Sequence, residues 1–154
     1  MINPERSELF FAKKVILVEG PTERTIIPKL GETEGVFKYD FTIIDCGGKS
    51  NIPLYINLLN KFKIKYCAIY DKDHQSGKTA EKIEGADEAS KIIEDCIDTT
   101  LGETIVFIND IEEELGLTIS GKGSKPFKAL NHINAEGFII SDSFRKKVLK
   151  IFKE

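Results

Sequence analysis

The segment KVILVEGPTE, residues 14–23, decides the fold class of this chain. Its first half is an uninterrupted run of mostly β-branched apolar side chains, which is typical of a strand buried on both faces of a parallel sheet. Gly20 and Pro21 break that strand, and residues 22–30 have the pattern of a helix, with Pro28 expected near its end. A buried strand that turns directly into a helix predicts an α/β domain.

The rest of the chain repeats this alternation. Apolar runs predict further strands at 41–45, 66–70 and 104–108, and helical spacing predicts helices at 51–62, 86–96, 110–115, 128–133 and from 142 onward. We therefore expect a single α/β domain over residues 1–154, with a mostly parallel four-stranded sheet flanked by helices. Its core is expected over about 12–115, followed by a basic C-terminal loop and helix over 119–154.

The composition fits a globular domain and argues against several other classes of protein. Of the 154 residues, 41% are hydrophobic and 31% charged. No apolar run approaches the roughly 20 residues of a membrane-spanning helix, and we see no secretory signal, so we expect a cytoplasmic protein without a membrane partner. The three cysteines (Cys46, Cys67, Cys96) form no Cys-x-x-Cys pair, which disfavours disulfides and a zinc site.

The charge is distributed unevenly along the chain. Residues 1–119 contain 14 Lys and Arg against 22 Asp and Glu, whereas residues 120–154 contain 8 against 3. The net charge of -3 therefore conceals an acidic body and a basic tail. Such a division allows an acidic site that holds cations beside a basic strip that meets phosphates.

Acidic residues follow three of the predicted strands. They are Glu19 and Glu23, then Asp71 and Asp73, then Asp110 and Glu112. Ligands of parallel α/β folds gather at the carboxyl ends of the strands, where these side chains would converge. Carboxylates this close repel one another unless cations neutralise them, and oxygen ligands suit Mg²⁺ or Mn²⁺. A single Asp-x-Asp at a polar strand end is common by chance, so the prediction depends on the combination.

Two Gly-Lys-Ser/Thr segments, 48–50 and 77–79, do not qualify as phosphate-binding P-loops. That motif needs a glycine five positions before its second glycine, and the chain has Ile43 and Lys72 there. We therefore expect no nucleotide to be bound by this domain. Lys49 can still approach a phosphate, the alternative being an ordinary surface lysine.

Three stretches resemble the Toprim domain, most closely that of the OLD (overcoming lysogenization defect) family of nucleases. They are LFFAKKVILVEGPTE at 9–23, DCGGKSN at 45–51 and IYDKD at 69–73. The first is specific, and the resemblance extends from about residue 7 to about residue 130. It implies a Toprim-like, Rossmann-like fold and a metal-dependent nuclease. In longer members of the family an ABC-type ATPase domain precedes this region, so an ATPase domain or subunit is an expected partner.

The resemblance also implies roles for individual residues. Glu19 and Asp71 would be the central metal ligands, with Glu23 and Asp73 completing the shell of one ion. Glu112, or alternatively Asp110, would bind a second ion. Lys125 resembles the late active-site lysine of the family, and Lys122 competes for that role.

The expected activity is a two-metal hydrolysis of phosphodiester bonds by an endonuclease, with DNA favoured over RNA. Two Mg²⁺ or Mn²⁺ ions about 4 Å apart would clamp the scissile phosphate. Glu19, Asp71, Asp73 and Lys125 would be the catalytic residues. Phosphate contacts would come from Lys49, Lys122, Lys125, Lys128, Arg145 and Lys146, giving salt-sensitive binding with little sequence preference.

Other functions stay open from the sequence. A non-catalytic Toprim module could bind nucleic acid or act as a scaffold beside an ATPase. A phosphotransfer receiver domain also uses strand-end aspartates with Mg²⁺, but it needs an aspartate pair after its first strand, where this chain has Glu-Gly-Pro. Topoisomerase and primase activities need separate modules that we do not find in these 154 residues.

Overall fold

The computed structural model describes residues 8–118 and 123–154. Four strands form one sheet in the order β2-β1-β3-β4, and every pairing in it is parallel. The strands are β1 (Lys14–Val18), β2 (Phe41–Asp45), β3 (Lys65–Asp71) and β4 (Gly102–Phe107). The expected α/β class with a four-stranded parallel sheet is thereby confirmed.

The central strand β1 is buried along its whole length. Its side chains alternate between the two faces of the sheet, so that Val15 and Leu17 pack on one side and Ile16 and Val18 on the other. Both faces need a covering layer of helices for this reason.

Six helices provide that cover. They are α1 (Pro21–Thr33), α2 (Ile52–Phe62), α3 (Ala80–Cys96), α4 (Ile111–Glu114), α5 (Lys125–Ile133) and α6 (Asp142–Ile151). The core on one face joins α1, α5 and α6 to the sheet, and the core on the other joins α2 and α3. The basic C-terminal helix is therefore an integral part of the core, through residues such as Phe144 and Val148. None of the helices described at 8–118 and 123–154 is long and apolar enough to cross a membrane.

Three helices, α1, α3 and α5, are longer than predicted. Helix α1 continues through Pro28 to Thr33 because its residues Leu30 and Gly31 are packed in the core. The free energy gained by this packing outweighs the loss of the one backbone hydrogen bond that Pro28 cannot donate. Helix α3 begins at Ala80, six residues before the predicted start, with Thr79 as its N-cap.

Strand β4 begins earlier than predicted, at Gly102, and ends before Ile108. The Tyr66 ring lies so close to Gly102 that a Cβ atom there would come within 2.1 Å of it. Ile108 follows the strand and is 66% exposed. Helix α5 also begins earlier, because Ser124 caps it and Lys125 is its first residue rather than part of the preceding loop.

Candidate functional site

The chain changes direction in the sheet between β1 and β3. From β1 it crosses by α1 to β2 on one side, and from β3 it crosses by α3 to β4 on the other. A crevice outside the strand ends is expected at such a switch point. Glu19 and Asp71 stand on its two sides, and the Asp71 N–H donates to Glu19 Oε1 at 2.7 Å.

Asp71, the last residue of β3, is only 8% exposed. Burial, followed by the charges of Glu19 and Glu23, raises the pKa of the Asp71 carboxyl to about 9. Its Oδ1 atom is buried and has no hydrogen-bond partner. A buried oxygen of this kind is costly, so it indicates that a proton donor or a cation belongs there.

Glu23 lies in the first turn of α1 and is buried against the same crevice. Burial raises its pKa to about 7, and the charges of Glu19 and Glu112 add to the effect. The pKa of Glu19 is also raised by burial, against the hydrogen bond from the Asp71 N–H. The sequence prediction that these carboxylates converge is therefore met for residues from three strand ends.

Asp73 lies in a segment that continues the pairing of β3 with β4 and the residues after it. Its backbone has φ 61°, a left-handed conformation that aspartate tolerates better than most residues. The Asp73 N–H donates to the Asn109 carbonyl at 3.2 Å. Its carboxylate lies 3.2 Å from Lys78 Nζ and 3.9 Å from Lys49 Nζ.

Lys49, expected to approach a phosphate, is turned inward in this structure. Its side chain is 9% exposed, and its ammonium donates to the backbone carbonyls of Asp71 and Ala86. The same group lies 5.4 Å from the centre of the Tyr70 ring. In this conformation Lys49 stabilises the Asp71–Asp73 segment through the hydrogen bond to the Asp71 carbonyl. Its ammonium is still close enough to the Asp73 carboxylate to add positive charge to the crevice.

Asp110 and Glu112 come to the same crevice from the end of β4. Asp110 caps α4, with its Oδ1 accepting from the Glu113 N–H at 2.8 Å. Glu112 is 8% exposed, and its Oε1 lies 3.6 Å from Lys125 Nζ. Lys125 therefore reaches the cluster from the first turn of α5, with 64% of its side chain exposed.

Gln75 is a residue of this site that the sequence analysis missed. Its Nε2 donates to Asp110 Oδ2 at 3.1 Å and to the Asn109 carbonyl at 3.3 Å. Its Oε1 is buried without a partner. A glutamine in a polar loop forms no recognisable motif, so only the three-dimensional arrangement identifies it.

These side chains line a cleft of about 280 Å³. Gln75 and Lys125 line this cleft. All six predicted metal ligands line it as well, namely Glu19, Glu23, Asp71, Asp73, Asp110 and Glu112. The carboxylate donors and the unpartnered Asp71 Oδ1 suit a hard divalent cation. Within the described parts of the chain no three acidic, histidine or cysteine side chains are already gathered around one point. Several of the carboxylates instead contact other groups, as Asp73 contacts Lys78 and Glu112 contacts Lys125. Some of these side chains would have to rotate before they could share one ion.

The remaining predicted phosphate contacts lie in different places. Arg145 Nε donates to Glu34 Oε2 at 2.9 Å. Glu34 follows the C-terminal end of α1, whereas Glu23 is in the first turn of that helix. Lys146 is exposed on α6, Lys128 is half-buried on α5, and Lys122 lies outside the described residues. Lys125 is therefore the exposed lysine that the structure brings to the carboxylates.

Comparison with known proteins identifies similar sequences. The family model of the overcoming lysogenization defect protein-like TOPRIM domain matches residues 10–73, which include Glu19, Glu23, Asp71 and Asp73. An OLD nuclease of Thermus scotoductus is 27% identical over 132 residues, or 80% of this chain. The chain spans 25% of the length of that relative.

Two solved structures also match this chain over most of its length. Two structures of the C-terminal region of the Xanthomonas campestris pv. campestris OLD protein, phased with platinum and with mercury, are 22% and 21% identical to this chain. Their TM-scores are 0.47 and 0.43, and each comparison covers 94% of this chain and 80% or 81% of the other. From the family model and the relative, the resemblance to the OLD-like Toprim domain is confirmed, with residues 10–73 as its matched segment.

Proposed function

We propose that the cleft is the active site of a Mg²⁺- or Mn²⁺-dependent endonuclease that hydrolyses phosphodiester bonds, with DNA as the favoured substrate. The observation that carries this proposal is the buried, unpartnered Oδ1 of Asp71 among five further carboxylates. Structural carboxylates are usually paired or solvated, whereas this group has a strongly raised pKa and faces a cleft. The relation to an OLD nuclease supports the same reaction class.

The six carboxylates follow three strands. Glu19 and Glu23 follow β1, Asp71 and Asp73 come at the end of β3 and just after it, and Asp110 and Glu112 follow β4. We assign Glu19, Asp71, Glu23 and Asp73 to one divalent ion, and Glu112 or alternatively Asp110 to a second. When bound, such ions lower the pKa of a water and neutralise charge on the phosphate.

Lys125 has the role of a phosphate ligand at the mouth of the cleft. Its ammonium contacts Glu112 now, but most of its side chain is exposed and free to turn. On substrate binding it exchanges this carboxylate for a non-bridging phosphate oxygen and stabilises the charge that grows there. Lys49 and Lys78 keep the Asp73 carboxylate oriented before that step.

The test is cleavage of supercoiled plasmid and of single-stranded DNA with Mg²⁺, Mn²⁺, Ca²⁺ or EDTA. We expect cleavage with Mg²⁺ or Mn²⁺ that falls by more than about 100-fold in Asp71→Asn and in Glu19→Gln, since even indirect metal partners are worth up to that factor. Glu88→Gln, an exposed carboxylate on α3, is the matched control and should keep full activity.

Binding of Mn²⁺ without cleavage would contradict activity of the isolated domain. That result would favour the second function considered from the sequence, a Toprim module that needs an ATPase domain or subunit. The short span of this chain relative to the OLD nuclease makes that outcome informative. Absence of Mn²⁺ binding would remove the proposal altogether.

A further inference from the structure

We propose that Gln75 is a positioning residue of the cleft, which orients Asp110 through its amide nitrogen and accepts a hydrogen bond from the hydration shell of a bound cation through its amide oxygen. This inference rests on the proposed function, because it needs a divalent cation in the cleft. It adds a neutral side chain to a set of residues otherwise recognised by their charge.

The orientation of the Gln75 amide is fixed by its neighbours. Its nitrogen faces two acceptors, the Asp110 carboxylate and the Asn109 carbonyl, neither of which can donate a proton. The reversed amide would place an oxygen against both of them. The Oε1 atom must therefore point away from Asp110 and Asn109.

That oxygen is buried and has no partner. Among the side chains described at 8–118 and 123–154, only one other buried nitrogen or oxygen is in this state, and it is Asp71 Oδ1. Both residues line the same cleft. Unpartnered buried acceptors are rare in proteins, so two in one cleft indicate a missing ligand with donor character on both sides.

The nitrogen of Gln75 has a complementary effect on Asp110. With Gln75 bound to Oδ2 and the Glu113 N–H bound to Oδ1, both oxygens of the Asp110 carboxylate are held in one orientation. Gln75 thereby links the loop after β3 to the loop after β4, which are the two loops that carry Asp73 and Asp110. Each Asp110 oxygen retains a lone pair for a cation or for its water.

The experiment compares Gln75→Met with the wild-type chain. Methionine has a similar size but offers neither the donor nor the acceptor. We expect the Kd for Mn²⁺, measured by electron paramagnetic resonance titration, to rise by about 10-fold or more, as for other indirect metal partners. In EDTA the unfolding temperature should change little, because the loss of the two hydrogen bonds donated by Gln75 opposes the gain from removing an unpartnered buried oxygen. Asn57→Met, at an exposed amide on α2, is the matched control and should change neither quantity.

A second variant separates the two roles of Gln75. If it acts partly through Asp110, the rise in Kd caused by Gln75→Met should be smaller in an Asp110→Ala background. An unchanged Kd in the single variant would overturn the proposal. So would a large fall in the unfolding temperature in EDTA for both Gln75→Met and Gln75→Ala, since that result marks a structural residue.

The wild-type titration distinguishes this inference from the proposed function. A wild-type chain that fails to bind Mn²⁺ overturns both. A wild-type chain that binds Mn²⁺, with Gln75→Met binding it equally well, overturns only the role of Gln75.

Discussion

The two ends of the sheet treat buried charge in opposite ways. At the amino end, Lys14 is 5% exposed, and its ammonium donates to Glu103 at 3.1 Å and to the carbonyls of Ile151 and Lys153 at 3.2 and 2.7 Å. Each of its three donors therefore has an acceptor within the chain. Buried charge is tolerated there because it is fully paired.

At the carboxyl end, acidic side chains outnumber the lysines that reach them. Glu23, Asp71 and Glu112 are all buried, and the pKa values of Glu23 and Asp71 are raised. The lysine that lies deepest, Lys49, gives its hydrogen bonds to backbone carbonyls rather than to a carboxylate. One end is therefore balanced by the chain itself, while the other holds more carboxylates than lysines, as the proposed cation site requires.

The largest effect is expected at the amino end. Lys14→Met leaves the carbonyls of Ile151 and Lys153 without their donor and Glu103 with Lys150 as its remaining partner, and we expect the free energy of unfolding to fall by about 3–5 kcal/mol in urea denaturation. Lys13→Met, at the preceding residue, removes an exposed ion pair with Glu154 and should lower the free energy of unfolding much less. Equal losses in the two variants would contradict the pairing argument.

Lys49 is the matching buried lysine at the carboxyl end. Lys49→Met removes the donor for the carbonyls of Asp71 and Ala86, so the free energy of unfolding should fall by about 1–3 kcal/mol, less than for Lys14. The comparison of both variants in urea with EDTA decides this. A larger loss for Lys49 than for Lys14 would mean that the carboxyl end depends on its own lysine for charge balance.

Stability should also depend on pH through the carboxyl end. Asp71 and Glu23 have folded-state pKa values of about 9 and about 7, above the values near 4 that they take when unfolded. The folded, metal-free chain therefore binds more protons, and its stability is greatest at low pH and falls as the pH rises through about 7 and about 9. Each group contributes a slope of about 1.4 kcal/mol per pH unit where only the folded form is protonated.

Urea denaturation in EDTA between about pH 5 and about pH 8 measures that slope. Asp71→Asn removes one titrating group, so its curve should be shallower than that of the wild type. Asp98→Asn, at a half-buried aspartate near the amino end whose pKa is lowered by its hydrogen bonds with Thr100, should leave the slope over this range unchanged. Parallel curves for wild type and Asp71→Asn would show that the carboxyl end holds no excess protons.

The smallest effect concerns the basic residues expected to bind nucleic acid. Lys125→Gln should reduce the slope of log affinity for DNA against log salt by about 1, since Lys125 is the proposed phosphate ligand at the cleft. Arg145 is already paired with Glu34, so Arg145→Gln should change that slope by less. A larger change for Arg145 would place the nucleic acid on the C-terminal helix instead.

The strands could be predicted well from the sequence because each buried strand is a short run of apolar residues that are adjacent in the chain. The bounds of β1 and β2 agree with prediction, since both are short apolar runs closed by Glu19-Gly20 and by Gly47-Gly48. The start of α3 was missed because its first turns are exposed and polar, so no apolar face marks them. The early start of α5 had a usable signal, a capping Ser124 followed by Pro126.

The residues of the candidate site also differ in how well the sequence predicts their positions. Glu19, Asp71 and Asp73 could be placed at the crevice because each closes or closely follows a recognisable strand, and Glu23 because it lies in the first turn of the helix after β1. The inward turn of Lys49 could not be predicted, because its acceptors lie 22 and 37 residues further along the chain. Gln75 was invisible for a similar reason, since its two partners follow a different strand.

The hydrogen bonds of Lys14 also set the order in which a newly made chain can finish folding. They join residues 137 and 139 positions apart, so the first strand is synthesised long before its lysine can be satisfied. Until residues 151–153 have left the ribosome, that ammonium must stay in water or be buried without its acceptors. The Lys14 side chain can therefore be buried with all its acceptors only after the end of α6 has been synthesised. A translation pause before that point would leave the amino end of the sheet, away from the cleft, incompletely packed.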